Sequence, residues 1–283
     1  MNKIRWNPAD RPAMNIKENK GVTYLTYPAL EELSGFVHAF STRLGGVSEG
    51  IYSSMNLSFT RGDDENSVME NYRRLADAVG FSVENIVTSD QTHTANVRVI
   101  TEADRGNGIT KPRPYTDVDG MITNVPGLVL ATFYADCVPL YFIDPVRKAI
   151  GLSHSGWRGT AAHIGAVTVR RMQEEYGSLP EDIYGAIGPS ICQECYEVSE
   201  DVILEFQKTF PEQSWRDLFY RKENGKYQLN LWEANRQIML EAGLIEEHIS
   251  LPGLCTCCNP EFLFSHRASR GKRGNLGAFL GII

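Results

Sequence analysis

An α/β chain of the α+β kind, a mixed β-sheet sandwich flanked by helices and closed into a single domain, is the fold this sequence predicts. Three observations carry that expectation. Short apolar segments rich in Val, Ile, Phe and Tyr outnumber helical patterns, and the two kinds do not alternate strictly, as a doubly wound sheet would require. No G-x-G-x-x-G follows a predicted strand and there is no P-loop, so dinucleotide and ATP folds have no support. No internal repeat, low-complexity tract or Pro/Gly/Ser linker divides the 283 residues, so the domain is read as 1–283, with 1–30 a peripheral segment.

The predicted strands are Phe36–Thr42, Val97–Thr101, Leu128–Ala135, Pro139–Ile143, Ala149–His154 and Ile183–Ile187, each bounded by Gly, Pro or Asp. The helices are fewer but well marked. Ser67 to Glu70 reads as a capping box, followed by Tyr72, Leu75, Ala76 and Val79 on one face and Gly80 as the stop. After Gly159, the residues Ala162, Ala166, Val169, Met172 and Tyr176 recur at steps of three and four. Two more helices are expected over Ser199–Thr209 and Asn230–Ala242, the second opened by Asn230 with Glu233.

Composition excludes several function classes. A net charge of −7 argues against a general nucleic-acid binder, while leaving room for a local basic pocket. The polar opening residues lack the apolar core of a secretory signal, and no run approaches the roughly 18 apolar residues of a membrane span. With six cysteines and no signal, reduced thiols or metal ligands are expected rather than a disulfide framework, and cytoplasm is the default location.

Reactive residues gather where predicted strands end: Gln91-Thr92-His93, Ala135-Asp136-Cys137 and Ser153 to Gly159. Cys137 and His154 flank one strand-turn-strand unit whose reversal is Asp144-Pro145. A hairpin returns its two ends to one place, so these two side chains should be neighbours. Such a pair fits a Cys-His nucleophile. It fits equally part of a zinc site with an open position, for which His93 is the best third ligand. The residues alone leave both readings open, beside a third in which the three are unrelated.

The ordered motifs His38–Ser48, Met55–Leu57, Gln91–His93, Asp117–Gly120, Thr132–Cys137 and His154–Gly159 resemble the laccase-domain family. Gly185–Pro189 with Tyr196–Val198, and Cys255-Thr256 with Phe264–Arg267, continue the resemblance, which runs from about residue 36 to the C-terminus. Members were first called multicopper polyphenol oxidoreductases and later described as purine nucleoside phosphorylases. The resemblance implies a sheet sandwich flanked by helices. It also implies a catalytic zinc on His93, Cys137 and His154, phosphorolysis of adenosine, inosine, guanosine and S-methyl-5′-thioadenosine, and deamination of adenosine. His266 and Ala268 depart from residues common at those places in the family.

The catalytic candidates are then Cys137 and Asp136. Asp136 is read as acid/base or, preferably, as the anchor of a ligating histidine. Arg43 and Arg158 are expected on phosphate because a guanidinium offers paired donors to its oxygens. Gln91, Cys255 and Arg267 complete the substrate contacts, and the basic stretch Arg267–Arg273 is a candidate phosphate-facing loop. Cys192/Cys195 with Cys255–Cys258 can be drawn as a four-thiolate zinc, but the second half reads as irregularly spaced and buried free thiols are expected. Six histidines cannot furnish a multicopper centre, although copper can occupy the zinc position. The expected partners are purine nucleosides and phosphate, with no nucleic acid and no membrane, in a monomer or small homo-oligomer. A Cys-His hydrolase or amidase is the alternative.

Overall fold

Alternation along the strands builds two sheets that share one interior. The computed structural model describes residues 4–7 and 13–283. In chain order the strands begin with β1 (Asn15–Asn19), β2 (Val22–Thr26), β3 (Phe36–Ser41), β4 (Ile86–Thr88) and β5 (Val97–Val99). They continue with β6 (Gly120–Thr123), β7 (Val129–Tyr134), β8 (Val138–Asp144), β9 (Ala149–Ser155) and β10 (Tyr184–Ile187). The last are β11 (Glu197–Val198), β12 (Phe219–Arg221), β13 (Tyr227–Leu229), β14 (Ile249–Ser250) and β15 (Leu276–Ile282). One six-stranded sheet runs β1-β2-β3-β15-β7-β4, a second runs β14-β10-β8-β9-β6-β5, and β11-β13-β12 form a small third. Both large sheets mix parallel with antiparallel pairs, β4 lying parallel to β7 and β5 parallel to β6.

The first two sheets stack face to face. In β7, Leu130 and Tyr134 enter the core between them, together with Phe40 and Leu280. From the opposite sheet, Met121, Tyr141, Ile143, Ile150 and Leu152 fill the same core. Two phenols tie the sheets: Tyr141 donates to the Ala39 carbonyl at 3.1 Å and Tyr134 to that of Ser153 at 3.1 Å. The alternate residues of each strand face outward, where helices cover them. The helices are α1 (Pro28–Glu31), α2 (Glu65–Val79), α3 (Trp157–Ala161) and α4 (Ile164–Tyr176), then α5 (Glu200–Thr209), α6 (Trp215–Leu218), α7 (Leu231–Glu241) and α8 (His266–Ser269). Val68, Tyr72 and Leu75 of α2 cover Val129, Ala131 and Phe279. Ile164, Val169 and Met172 of α4 and Ile238 of α7 cover Val138, Leu140 and Phe142. The result is four layers, helix, sheet, sheet, helices, as the sandwich reading expected.

Local differences from the sequence reading have simple causes. α2 starts at Glu65, two residues before Ser67, because the Asp64 carboxylate accepts from the Ser67 backbone N–H at 2.8 Å and caps the helix. Gly80 stops it in the left-handed region at φ 99°. The pattern after Gly159 is two helices, since His163 takes φ 54° and breaks the run. The peripheral placement of residues 1–30 needs correcting within the described part. β1 is a sheet edge, but Val22, Leu25, Tyr27 and Leu30 are buried in the core. Residues 1–3 and 8–12 lie outside the described residues. Among the described residues no helix is long and apolar enough to cross a membrane.

Candidate metal centre and its cavity

The β8–β9 hairpin does what its turn implied. Its register sets Val138 opposite Ser155 and Pro139 opposite His154, so Cys137, one residue before β8, stands beside His154. The chain reaches Cys137 by crossing from the first sheet, where β7 ends at Tyr134, into the second. Asp136 makes that corner with φ 95°. His93, in the loop between β4 and β5, closes the group with its own left-handed backbone at φ 68°. One donor atom from each of His93, Cys137 and His154 lies within 4.8 Å of the others. The imidazoles meet edge to face, 4.9 Å between centroids at 84°. His154 is buried, Cys137 half-buried and His93 exposed, so the group is open on one side only.

A carboxylate organises both histidines. Asp119, fully buried at the head of β6, accepts from His154 Nδ1 at 2.8 Å and from the His93 backbone N–H at 3.1 Å through one oxygen. Its other oxygen accepts from the backbone N–H groups of Thr92 and Thr94 at 3.0 and 2.9 Å. The His154 proton is thereby held at Nδ1, which leaves Nε2 as a lone pair for the centre. Asp136, expected in this role, is turned away by its left-handed backbone. Its oxygens accept from Thr256 Oγ1 at 2.7 Å and from the Arg267 backbone N–H at 2.6 Å.

Burial raises the Cys137 thiol, but the charge of His154 and hydrogen bonds from His154 and His93 outweigh it and bring it down to about 6. Burial lowers His154, and the Cys137 charge with the Asp119 hydrogen bond reverses this to about 9. Burial likewise raises Asp119, and its bonds from His154, Thr94 and Thr92 bring it to about 2. Without a metal the lowered thiol and the raised imidazole together favour a thiolate–imidazolium pair. One proton has to leave His154 for a cation to enter.

The donor set fits a borderline-soft tetrahedral ion with an open position. Gly156 supports that fit. A Cβ placed there would stand 2.9 Å from His93 Cδ2 and 3.2 Å from Cys137 Sγ, inside the cradle. Gly156→Ala should therefore fold normally yet hold metal about tenfold or more weakly, as misplacing ligands typically does. Calorimetric titration with zinc checks this, and unchanged affinity would show that the cradle tolerates the methyl.

The centre forms one wall of a cavity of about 580 Å³, within the range of small-molecule sites. Phe59, Tyr115 and Phe133 add aromatic surface, and Arg61 and Arg273 add charge. Burial and the neighbouring Arg61 lower Arg273 to about 10. Its Nε is buried with no hydrogen-bond partner. Two cations that repel across a cavity, one with an unused donor, make a place for an anion.

The structure sorts the remaining expectations. Gln91 lines the cavity, but its amide is engaged by β7, donating to the Phe133 carbonyl at 2.8 Å and accepting from its N–H at 2.7 Å. Arg43 does not line it. Its guanidinium donates to the carbonyls of Ser53 and Pro260 and lies 4.7 Å from the Phe264 ring centroid. Arg158 stacks on Trp157, and Arg267 clamps the carbonyls of Cys195 and Glu197 beside Tyr196. Both lie outside the cavity lining. Cys255 is buried among other thiols, away from the lining. Tyr134 borders the cavity, while Phe40 and Phe264 are core. The residues that sequence reading missed are Asp119 and Arg61, while Arg273 is the one member of the flagged basic stretch that reaches the cavity. Asp119 stood in a quoted motif, and Arg61 in none.

Fold and site together define a four-layer α/β protein with a His/Cys/His group, able to hold a metal ion, at a cavity wall. The chain belongs to the family described as multi-copper polyphenol oxidoreductase laccase, whose model matches residues 37–283. A relative from Geobacillus stearothermophilus, purine nucleoside phosphorylase YlmD, is 40% identical over 252 residues, covering 88% of this chain and 90% of the relative. Adenosine deaminase RL5, from an unknown prokaryotic organism, is 34% identical over 234 residues, 82% of this chain and 88% of that protein. The crystal structure of YlmD from Geobacillus stearothermophilus superposes with a TM-score of 0.89 at 38% identity, covering 96% of this chain and 99% of the other.

Proposed function

We propose that this protein is a zinc purine nucleoside phosphorylase acting on adenosine, inosine, guanosine and S-methyl-5′-thioadenosine, with adenosine deaminase activity at the same site. The observation that carries this reading is the meeting, in one cavity, of the His93/Cys137/His154 group with the anion-receptive pair Arg61 and Arg273. The names of the relatives supply the substrate class. Zinc bound there would supply Lewis acidity at an open coordination position.

The chain's own residues do the rest. Arg61 and Arg273 hold phosphate, Phe59, Tyr115 and Phe133 offer flat surface to a purine, and Asp119 keeps the His154 proton at Nδ1. The protein works in the cytoplasm, as a monomer or small homo-oligomer, without nucleic acid or membrane.

Arg61→Ala should raise the KM for phosphate tenfold or more, since a hydrogen bond to a charged group contributes about 1.5–3 kcal/mol. Phosphate-independent deamination should change much less. Product analysis from adenosine, with and without phosphate, tests the reading. Adenine with ribose 1-phosphate supports it, and no base release under any condition rejects phosphorolysis.

A second reading has an observation behind it. Cys137, His154 and Asp119 stand as nucleophile, base and orienting acid, the arrangement of a Cys-His hydrolase or amidase. Copper phenol oxidation finds less support, because His38, His163, His248 and His266 all lie apart from the metal-binding group. A single copper ion at the zinc position remains compatible with the donor set.

A further inference from the structure

Six cysteines are present, and the centre uses one. Four of the others meet on the far side of Asp136. Cys192 caps and Cys195 ends a single tight turn, Gln193–Cys195, and Cys255 and Cys258 bound another. Both pairs are C-x-x-C, so the irregular spacing read from the sequence came from counting Cys257, which the cluster leaves out. The four sulfurs all lie within 4.8 Å of one another. Cys192 and Cys258 are 4.0 Å apart, and Cys195 and Cys258 3.5 Å.

We propose that Cys192, Cys195, Cys255 and Cys258 form a second metal site, a closed four-thiolate cage for zinc that is separate from the His93/Cys137/His154 group. Zinc–sulfur bonds of about 2.3 Å in a tetrahedron put the sulfurs roughly 3.8 Å apart. The two separations above bracket that value, whereas a disulfide would need about 2.05 Å. The surroundings suit thiolates. The backbone N–H groups of Cys192 and Cys258 donate to Cys255 Sγ at 3.2 and 3.4 Å. Such N–H···S bonds orient and stabilise a ligating sulfur, as supporting shells do at metal sites. Cys192 and Cys255 are 3% and 2% exposed and rest on Ile191 and Trp232. Cys195 and Cys258 border an open surface cavity of about 1130 Å³, which gives an ion a way in.

The site has a structural consequence. The first turn follows Ile191, whose N–H donates to the Asp136 carbonyl at 3.0 Å. The second contains Thr256, whose hydroxyl donates to the Asp136 carboxylate at 2.7 Å. Thr256 and Ser190 are also joined, N–H to carbonyl, at 3.1 Å. A metal cross-linking the turns therefore fixes the loops that hold the corner preceding Cys137. This inference does not depend on which nucleoside, if any, is turned over.

The test is metal analysis on protein purified under reducing conditions and washed with EDTA. His93→Ala, an exposed position, empties the other centre. This variant should keep one zinc per chain, and X-ray absorption should show four sulfurs at about 2.3 Å with no imidazole. Cys195→Ser/Cys258→Ser added to it should remove that zinc. Zinc-free His93→Ala protein would overturn the proposal, and so would a nitrogen-containing shell. An intact mass lower by four hydrogens, marking two disulfides in place of metal, would overturn it as well. Because the absorption measurement uses intact cysteines, it decides the matter even if the serine variant does not fold.

Discussion

Cys137→Ala and His154→Ala should each leave the His93 group without bound zinc and lower nucleoside turnover by about three orders of magnitude or more, the scale of losing a group that acts at the reacting atoms. The geometry makes the losses comparable. Three donors would hold the ion, and removing either of the two buried or half-buried ones leaves a pair that cannot define a tetrahedral site. Turnover and metal content have to be read together, because a Cys-His nucleophile would lose activity in the same variants. Chelation and alkylation separate the two. Under the zinc reading, EDTA removes activity and added zinc restores it. Metal-free protein should also expose a reactive thiolate, with alkylation of Cys137, followed by peptide mapping, at half its plateau rate near pH 6. In His154→Ala that midpoint should rise, because the burial that pushes the thiol up would no longer be opposed by the imidazolium. Activity that survives chelation but not alkylation would sink the zinc mechanism and install the thiol nucleophile.

How much of this was legible in the sequence depends on how local the signal was. The β8–β9 hairpin was legible, since Asp144-Pro145 sits between two apolar runs, and with it came the neighbourhood of Cys137 and His154. The helix end at Gly80 and the Asn230 cap, which accepts from the Glu233 N–H at 3.1 Å, were legible for the same reason. What failed needed three dimensions. The alternation argument for Asp136 assumed an extended backbone, and φ 95° voids it. Arg43 looked free because its partners, the carbonyls of Ser53 and Pro260, are 10 and 217 residues away in sequence. Arg61 and Arg273 share one cavity only because the loop after β3 and the approach to β15 converge on it. The four-thiolate cluster was visible in part, as two C-x-x-C pairs. Their meeting rests on a parallel bridge between Ser190 and Cys255 that no local pattern announces.

Asp119→Asn should weaken metal binding at the His93 group by about 10–100-fold, although it changes one atom. Both carboxylate oxygens only accept: one from His154 Nδ1 and the His93 N–H, the other from the N–H groups of Thr92 and Thr94. An asparagine has one such oxygen. If its NH2 faces His154, Nδ1 becomes the acceptor, the ring proton moves to Nε2, and the lone pair needed for the ion is lost. If the NH2 faces Thr92 and Thr94, donors oppose donors in a buried place, at about 1–3 kcal/mol for each group left unpaired. The native carboxylate carries its own pH signature. With Asp119 held at about 2 rather than 3.8, its share of stability, about 2 kcal/mol, is fully present above pH 4 and lost as the pH falls towards 2. Acid titration of the two proteins should therefore diverge above pH 4 and converge near 2, while zinc calorimetry at pH 7.5 reports the affinity loss. Equal zinc affinity in both would mean that Asp119 braces the loop without setting the His154 tautomer. A variant stable at pH 7 yet empty of metal would place its main effect on the imidazole.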